Sequence, residues 1–191
     1  ADPNLDWAGA WARRFGAHDP QKAGDTVLLF AGAGHRAKQW PLSRFLDISG
    51  CIKEAGYSPL FVLGPAELDR SMDKELAHKA EQQEFTIQMV HSETLAQVSS
   101  LLLTARAVLG NDCGPMHLAG MFGVPGLVLF GPTGADQWGP RGMKVVSAPL
   151  ACRPCTSTTA RIPCEEPECM AAIASDGVWE ALEPLLRIPS P

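Results

Sequence analysis

The chain has 191 residues, enough for one large domain with a substantial core, and its 46% apolar and 19% charged residues are the balance of a soluble globular protein. A formal net charge of −5 argues against a broad nucleic-acid surface, while leaving room for a local basic pocket. No apolar run reaches the ~18 residues of a membrane span, and the opening "ADPNLDWAGAWARRFG" lacks the charged start and apolar stretch of a signal peptide. With no initiator Met, the sequence reads as a piece of a longer chain.

Helical spacing of Leu5, Ala8, Trp11, Ala12 and Phe15 predicts a helix over 5–15, and "GAHDPQKAGD" reads as a linker. "TVLLF" (26–30) is a short buried strand that runs into the Gly-rich loop "AGAGHRAKQWP". Pro41 opens a helix carrying Phe45, Ile48 and Ile52 up to Gly56. A second strand (59–64), a charged helix over 66–82 and a third strand (85–90) follow. Ser92 is positioned to cap the next helix, with Leu95, Val98 and Leu102 on its buried side. "RAVLG", "PGLVLFG" and "MKVVSAP" supply three more strands, with a short helix "GPMHLAGMFG" after the first of them. Asp176 is placed to cap a last helix bearing Val178, Leu182 and Leu185.

Alternating strands and helices, with continuously apolar strands, predict a doubly wound α/β fold around a mainly parallel sheet. Ligands of such sheets sit beyond the carboxyl ends of the strands. Three features fall there: the 31–38 loop, the 64–67 corner and the 110–117 corner. The loop spells Gly32-x-Gly34-x-x-Ala37, the formal dinucleotide fingerprint, which also wants an acid about twenty residues on. The first acid after the second strand is Glu67, well beyond that distance, and His35, Arg36 and Lys38 make the loop more cationic than NAD needs. Two glycines and three cationic side chains suit a diphosphate, although a plain Gly turn with solvated basic residues is the competing reading. In "GNDCGPMHLAG", Pro115 opens a helix whose first amides, around Cys113, Gly114 and Met116, suit an anion. Asp112 could accept from sugar hydroxyls and His117 donate to a phosphate; alone, the first would be read as a helix cap and the second as a core histidine.

These stretches together resemble one family. "KQWP" after a Gly-rich strand exit, "GNDCGPMHLAGMFGVPGLVLFGPTG", "WGP" and a C-x-P-C segment are similar to the C-terminal half of the bacterial heptosyltransferases of glycosyltransferase family nine, over residues 26 to 186. The resemblance implies a Rossmann-like sheet forming one half of a GT-B glycosyltransferase, the half that binds the nucleotide sugar. It implies an ADP-heptose-like donor and a lipopolysaccharide core acceptor, with no cofactor, metal or nucleic acid. By the same resemblance Lys38 in the Gly34 loop meets the diphosphate and Glu67 the ribose. Asp112 holds the sugar, and the Cys113–Gly114 backbone with His117 lies near the distal phosphate. The family usually has Ser or Thr where this chain has Cys113. Its catalytic base belongs to an N-terminal domain, so the implied layout is 1–24 as a linking helix and 25–191 as the donor domain, with a Cys-rich loop at 151–170. Alone the chain is then expected to be inactive; in full length it would be cytoplasmic, with peripheral contact at the inner face of the inner membrane. An NAD-type oxidoreductase domain and a non-catalytic nucleotide-sugar-binding module are the other readings.

Four cysteines, Cys152, Cys155, Cys164 and Cys169, follow the pattern C-x2-C-x8-C-x4-C. That is compatible with four-thiolate zinc, but the second pair is wide for a standard knuckle, and reduced thiols in a folded loop are the first expectation.

Overall fold

The computed structural model describes residues 16–148, 150–155 and 168–187. The predicted helix over 5–15, Cys164 and much of the Cys-rich loop lie outside the described residues. Six strands form one sheet: β1 (Thr26–Phe30), β2 (Ser58–Leu63), β3 (Met89–His91), β4 (Ala107–Asn111), β5 (Gly126–Leu129) and β6 (Lys144–Val146). Their order is β3-β2-β1-β4-β5-β6, and every pairing is parallel. The helices are α1 (Leu42–Glu54), α2 (Pro65–Asp69), α3 (Met72–Gln82), α4 (Leu95–Thr104), α5 (Gly114–Phe122), α6 (Ala135–Trp138), α7 (Glu168–Ala171) and α8 (Ser175–Leu186).

Side chains alternate across each strand and so divide the core into two layers. Val27 and Leu29, Phe61 and Leu63, Ala107 and Leu109, and Leu127 and Leu129 face the layer under α1, α3 and α8. Leu28, Phe30, Val62, Val108 and Val128 face the layer under α4 and α5. In the first layer Trp40 stands edge-on to Phe45, ring centres 5.1 Å apart, and Phe45 edge-on to Phe61 at 6.4 Å. Each of these buried aromatics contributes roughly 1.5–3 kcal/mol by leaving water. The linker sequence from Gly16 is tied to the ends of α5 and α4: His18 N–H donates to Phe122 O (3.0 Å) and Gly24 N–H to Thr104 O (2.9 Å).

Several local expectations change, and the third strand, expected over 85–90, is confined to Met89–His91. The charged helix over 66–82 is two helices, because Ser71 adopts φ 57°, a left-handed conformation that ends α2 before α3 begins. The cap of α4 is Thr94, not Ser92: Thr94 Oγ1 accepts from Gln97 N–H and Gln97 Oε1 accepts from Thr94 N–H. Leu95 opens that helix 74% exposed, while Val98 and Leu102 are buried as expected. The last helix begins at Ser175 with Ala174 as its cap residue, so Asp176 lies within the first turn, and Leu186 is buried more completely than Leu185.

Candidate functional site

The crevice arises where the chain reverses its direction of winding. From β1 it proceeds outward to β2 and β3, then returns to place β4 on the other side of β1. Loops leaving β1 and β4 therefore part at the carboxyl edge and leave space between them. Asn111, the fully buried last residue of β4, bridges this opening. Its side-chain amide donates to Ala31 O (2.7 Å), and its Oδ1 accepts from Trp40 N–H (3.0 Å). One side chain thus fixes both ends of the Gly-rich loop. A buried Asn closing an apolar strand is the signal in the sequence that the motif reading passed over.

Two adjoining cavities occupy the crevice and share Gly34, Cys113 and Gly114. The first, about 210 Å³, is floored by Phe30, Val62 and Val98 and edged by Glu67. Glu67 Oε2 accepts from Gly64 N–H (3.0 Å), which turns the carboxylate over the Gly-rich loop. A Cβ on Gly32 would lie 2.1 Å from Glu67 Oε1, so the glycine is what lets the carboxylate rest this close to the loop. Arg70 secures the same loop by donating to Ala33 O at 2.9 Å. Glu67 and Gly32 are far apart in sequence yet in contact.

The second cavity, about 350 Å³, is lined by Lys38, Asp112, His117, Thr133 and Trp138. Lys38 and Asp112, read from the sequence as separate contacts to diphosphate and sugar, form a buried ion pair: Nζ lies 2.6 Å from Oδ2, with both side chains under a tenth exposed. Thr133 Oγ1 donates to the same Oδ2 at 2.8 Å. His117 Nε2 stands 3.8 Å from Oδ1, with its ring 42% exposed toward the opening. Thr133 is a residue that sequence reasoning missed, although it stands in the "GPTG" corner after β5.

Cys113 precedes α5 in extended conformation and gives that helix no side-chain cap. Met116 N–H donates to Cys113 O (3.2 Å), so of the amides expected to face an anion it is already engaged. The orphan amides of the first turn that remain are those of Cys113 and Gly114, since Pro115 has none. Burial, with the Asp112 and Glu67 carboxylates nearby, pushes the Cys113 thiol up to about 12, so it stays protonated.

A larger cavity, about 610 Å³, lies between the start of α1, α3 and α7, among Trp40, Met72 and Met170. Size alone does not outweigh the convergence of polar groups at the switch point. Among the described residues no group of three or more His, Cys, Asp or Glu is placed to hold a metal ion. Among them, too, no helix is long and apolar enough to cross a membrane.

The sheet order, with its crevice at the switch point, defines a Rossmann-like α/β domain. The sequence model of glycosyltransferase family 9 (heptosyltransferase) matches residues 3–165, and the chain belongs to that family. Among curated proteins it is 24% identical over 155 residues to lipooligosaccharide heptosyltransferase 2 of Campylobacter jejuni, covering 79% of this chain and 47% of the relative. It is 28% identical over 177 residues to lipopolysaccharide heptosyltransferase 1 of Pseudomonas aeruginosa, covering 85% of this chain and 48% of the relative. Among solved structures it matches E. coli heptosyltransferase WaaC with ADP at TM-score 0.71 and 21% identity, over 97% of this chain and 52% of that one. It also matches E. coli ADP-heptose lps heptosyltransferase II at TM-score 0.65 and 21% identity, over 96% of this chain and 52% of that one. The chain thus spans about half the length of the relatives it matches. The family assignment does not favour the oxidoreductase alternative.

Proposed function

We propose that this chain is the donor-binding half of a two-domain glycosyltransferase, holding ADP-heptose or a related nucleotide sugar for transfer to a lipopolysaccharide core acceptor. The observation that carries the reading is the divided crevice: an apolar cavity edged by one carboxylate opens onto a polar one built from Lys38, Asp112, His117 and Thr133. A nucleoside and a sugar are joined by a charged diphosphate, and the shared wall at Gly34, Cys113 and Gly114 is where that link would pass. Family membership supports it, as do the solved relatives, E. coli heptosyltransferase WaaC with ADP and with ADP-2-deoxy-2-fluoro heptose.

On this reading Glu67 accepts from the ribose hydroxyls and Asp112 from a sugar hydroxyl. The departing diphosphate meets the Cys113 and Gly114 amides at the positive end of α5, where fixed dipoles need no reorganisation as charge develops. His117 stands at the mouth to donate to the distal phosphate. Lys38 contributes less free charge than an isolated ammonium would, because Asp112 already balances it, although it still lines the cavity. Residues 25–191 form the donor domain and 1–24 the link to a preceding domain that carries the acceptor site and the base. The full-length protein works in the cytoplasm, at the inner face of the inner membrane where the acceptor is assembled.

Titration calorimetry tests this directly. The chain binds ADP and ADP-heptose, does not bind NADH, and transfers no sugar on its own. Failure to bind ADP at millimolar concentration, or transfer by the chain alone, would overturn it.

A further inference from the structure

The two oxygens of Asp112 have different surroundings. Oδ2 receives Lys38 Nζ at 2.6 Å and Thr133 Oγ1 at 2.8 Å. Oδ1 has His117 Nε2 at 3.8 Å, beyond hydrogen-bond range. An aspartate carboxylate turns easily about its last bond. Two donors on one oxygen remove that freedom and leave the other oxygen with its lone pairs toward the cavity.

Thr133 is 1% exposed, and its corner is held from behind. Cys155 N–H donates to Pro132 O at 3.0 Å. The Arg153 guanidinium donates to the carbonyls of Gly131 and Ala148, the latter at 2.7 Å. Gly131 has no room for a Cβ, which would meet Met170 Sδ at 2.3 Å. The C-x-P-C segment therefore braces the corner that carries Thr133. This gives the Gly-Pro-Thr corner after β5 and the cysteine-bearing segment a shared purpose that requires no metal.

We propose that Thr133 is a positioning residue for the donor sugar: with Lys38 it clamps Asp112 Oδ2 so that Oδ1 is presented as the acceptor for a sugar hydroxyl, and Arg153 keeps Thr133 in register. This rests on reading the polar cavity as the sugar site. The clamp acts on the sugar and not on the nucleotide, so its loss separates ADP-heptose from ADP.

The test is calorimetry of both ligands with wild type, Thr133→Val, Thr133→Ser and Arg153→Ala. Valine keeps the shape and deletes the donor, so ADP-heptose binding weakens about tenfold, the scale of a hydrogen bond to a charged group, while ADP is unchanged. Serine restores the wild-type ratio. Arg153→Ala moves the ratio in the same direction by a smaller factor, and it carries the test if the valine variant does not fold. An unchanged ratio in folded variants, or equal weakening of both ligands, overturns the proposal while leaving the nucleotide site intact. Wild type that binds ADP but not ADP-heptose overturns it as well. Wild type that binds neither overturns the functional reading, and this inference falls with it.

Discussion

The two cavities share a wall yet are built on opposite plans. On the β2 side an apolar floor meets one carboxylate, and Glu67 is held by a backbone amide, Gly64 N–H at 3.0 Å. On the β5 side the charged groups satisfy one another, with Lys38, Asp112 and Thr133 converging within 2.8 Å. The first plan offers surface and a single acceptor; the second offers fixed polar geometry at the expense of desolvating two charges. A nucleoside, with a flat base and one pair of ribose hydroxyls, suits the first. A polyhydroxylated sugar, whose isomers differ only in hydroxyl direction, suits the second.

The largest expected effect breaks the second plan. Lys38→Ala leaves the buried Asp112 carboxylate with Thr133 but without its cation, and removing one partner of a buried pair costs about 3 kcal/mol. Chemical denaturation reads this directly. In a double-mutant cycle with Asp112→Ala the two losses are far from additive. Additive losses, or a cost under about 1 kcal/mol, would show the pair to be no more than a surface contact.

The next effect breaks the first plan without touching the charges. Gly32→Ala places a Cβ 2.1 Å from Glu67 Oε1, and since the carboxylate is the movable end, Glu67 swings away and loses Gly64 N–H. ADP and adenosine both weaken, by about tenfold or 1.4 kcal/mol, because on the proposed reading the lost acceptor serves the ribose they share. Stability changes much less than in Lys38→Ala. A loss confined to ADP would move Glu67 from the nucleoside side to the phosphate side.

Those two regions also differ in how far they could be read beforehand. The sheet was legible because strand after strand is apolar on both faces, and the carboxyl edge follows from the alternation of strands and helices. Glu67 was legible as a polar residue at that edge. Its distance from Gly32 along the chain reflects the length of the intervening crossover and says nothing of their contact in space. The Lys38–Asp112 pair was not legible, since each residue alone suits a ligand and no local pattern marks them as partners. Thr133 and Arg153 escaped for the same reason: their roles appear only when the loop after β5 lies beside β4. The Thr94 cap could have been found, because Gln97 three residues on completes a capping box that Ser92 lacks.

The smallest effect falls on the shared wall and sharpens the comparison there. Cys113 touches both cavities, but the role proposed for it uses its backbone amide, so Cys113→Ser should change ADP affinity by less than about 1 kcal/mol. Its thiol, pushed up to about 12 by burial and by the neighbouring carboxylates, is not a thiolate at neutral pH. Alkylation by iodoacetamide should therefore reach exposed Cys152 long before Cys113, whose rate stays low from pH 7 to pH 9. The linkage has a definite sign. A raised folded value means that the native state keeps its proton where the unfolded chain loses it. The stability this contributes is complete below the ordinary thiol value of 9.0 and is lost as pH rises toward about 12. Cys113→Ser should flatten that alkaline decline and leave the acid side unchanged. Rapid alkylation of Cys113 at pH 7, protected by ADP, would instead give its sulfur a direct place in the site and end the claim that the wall acts through backbone alone.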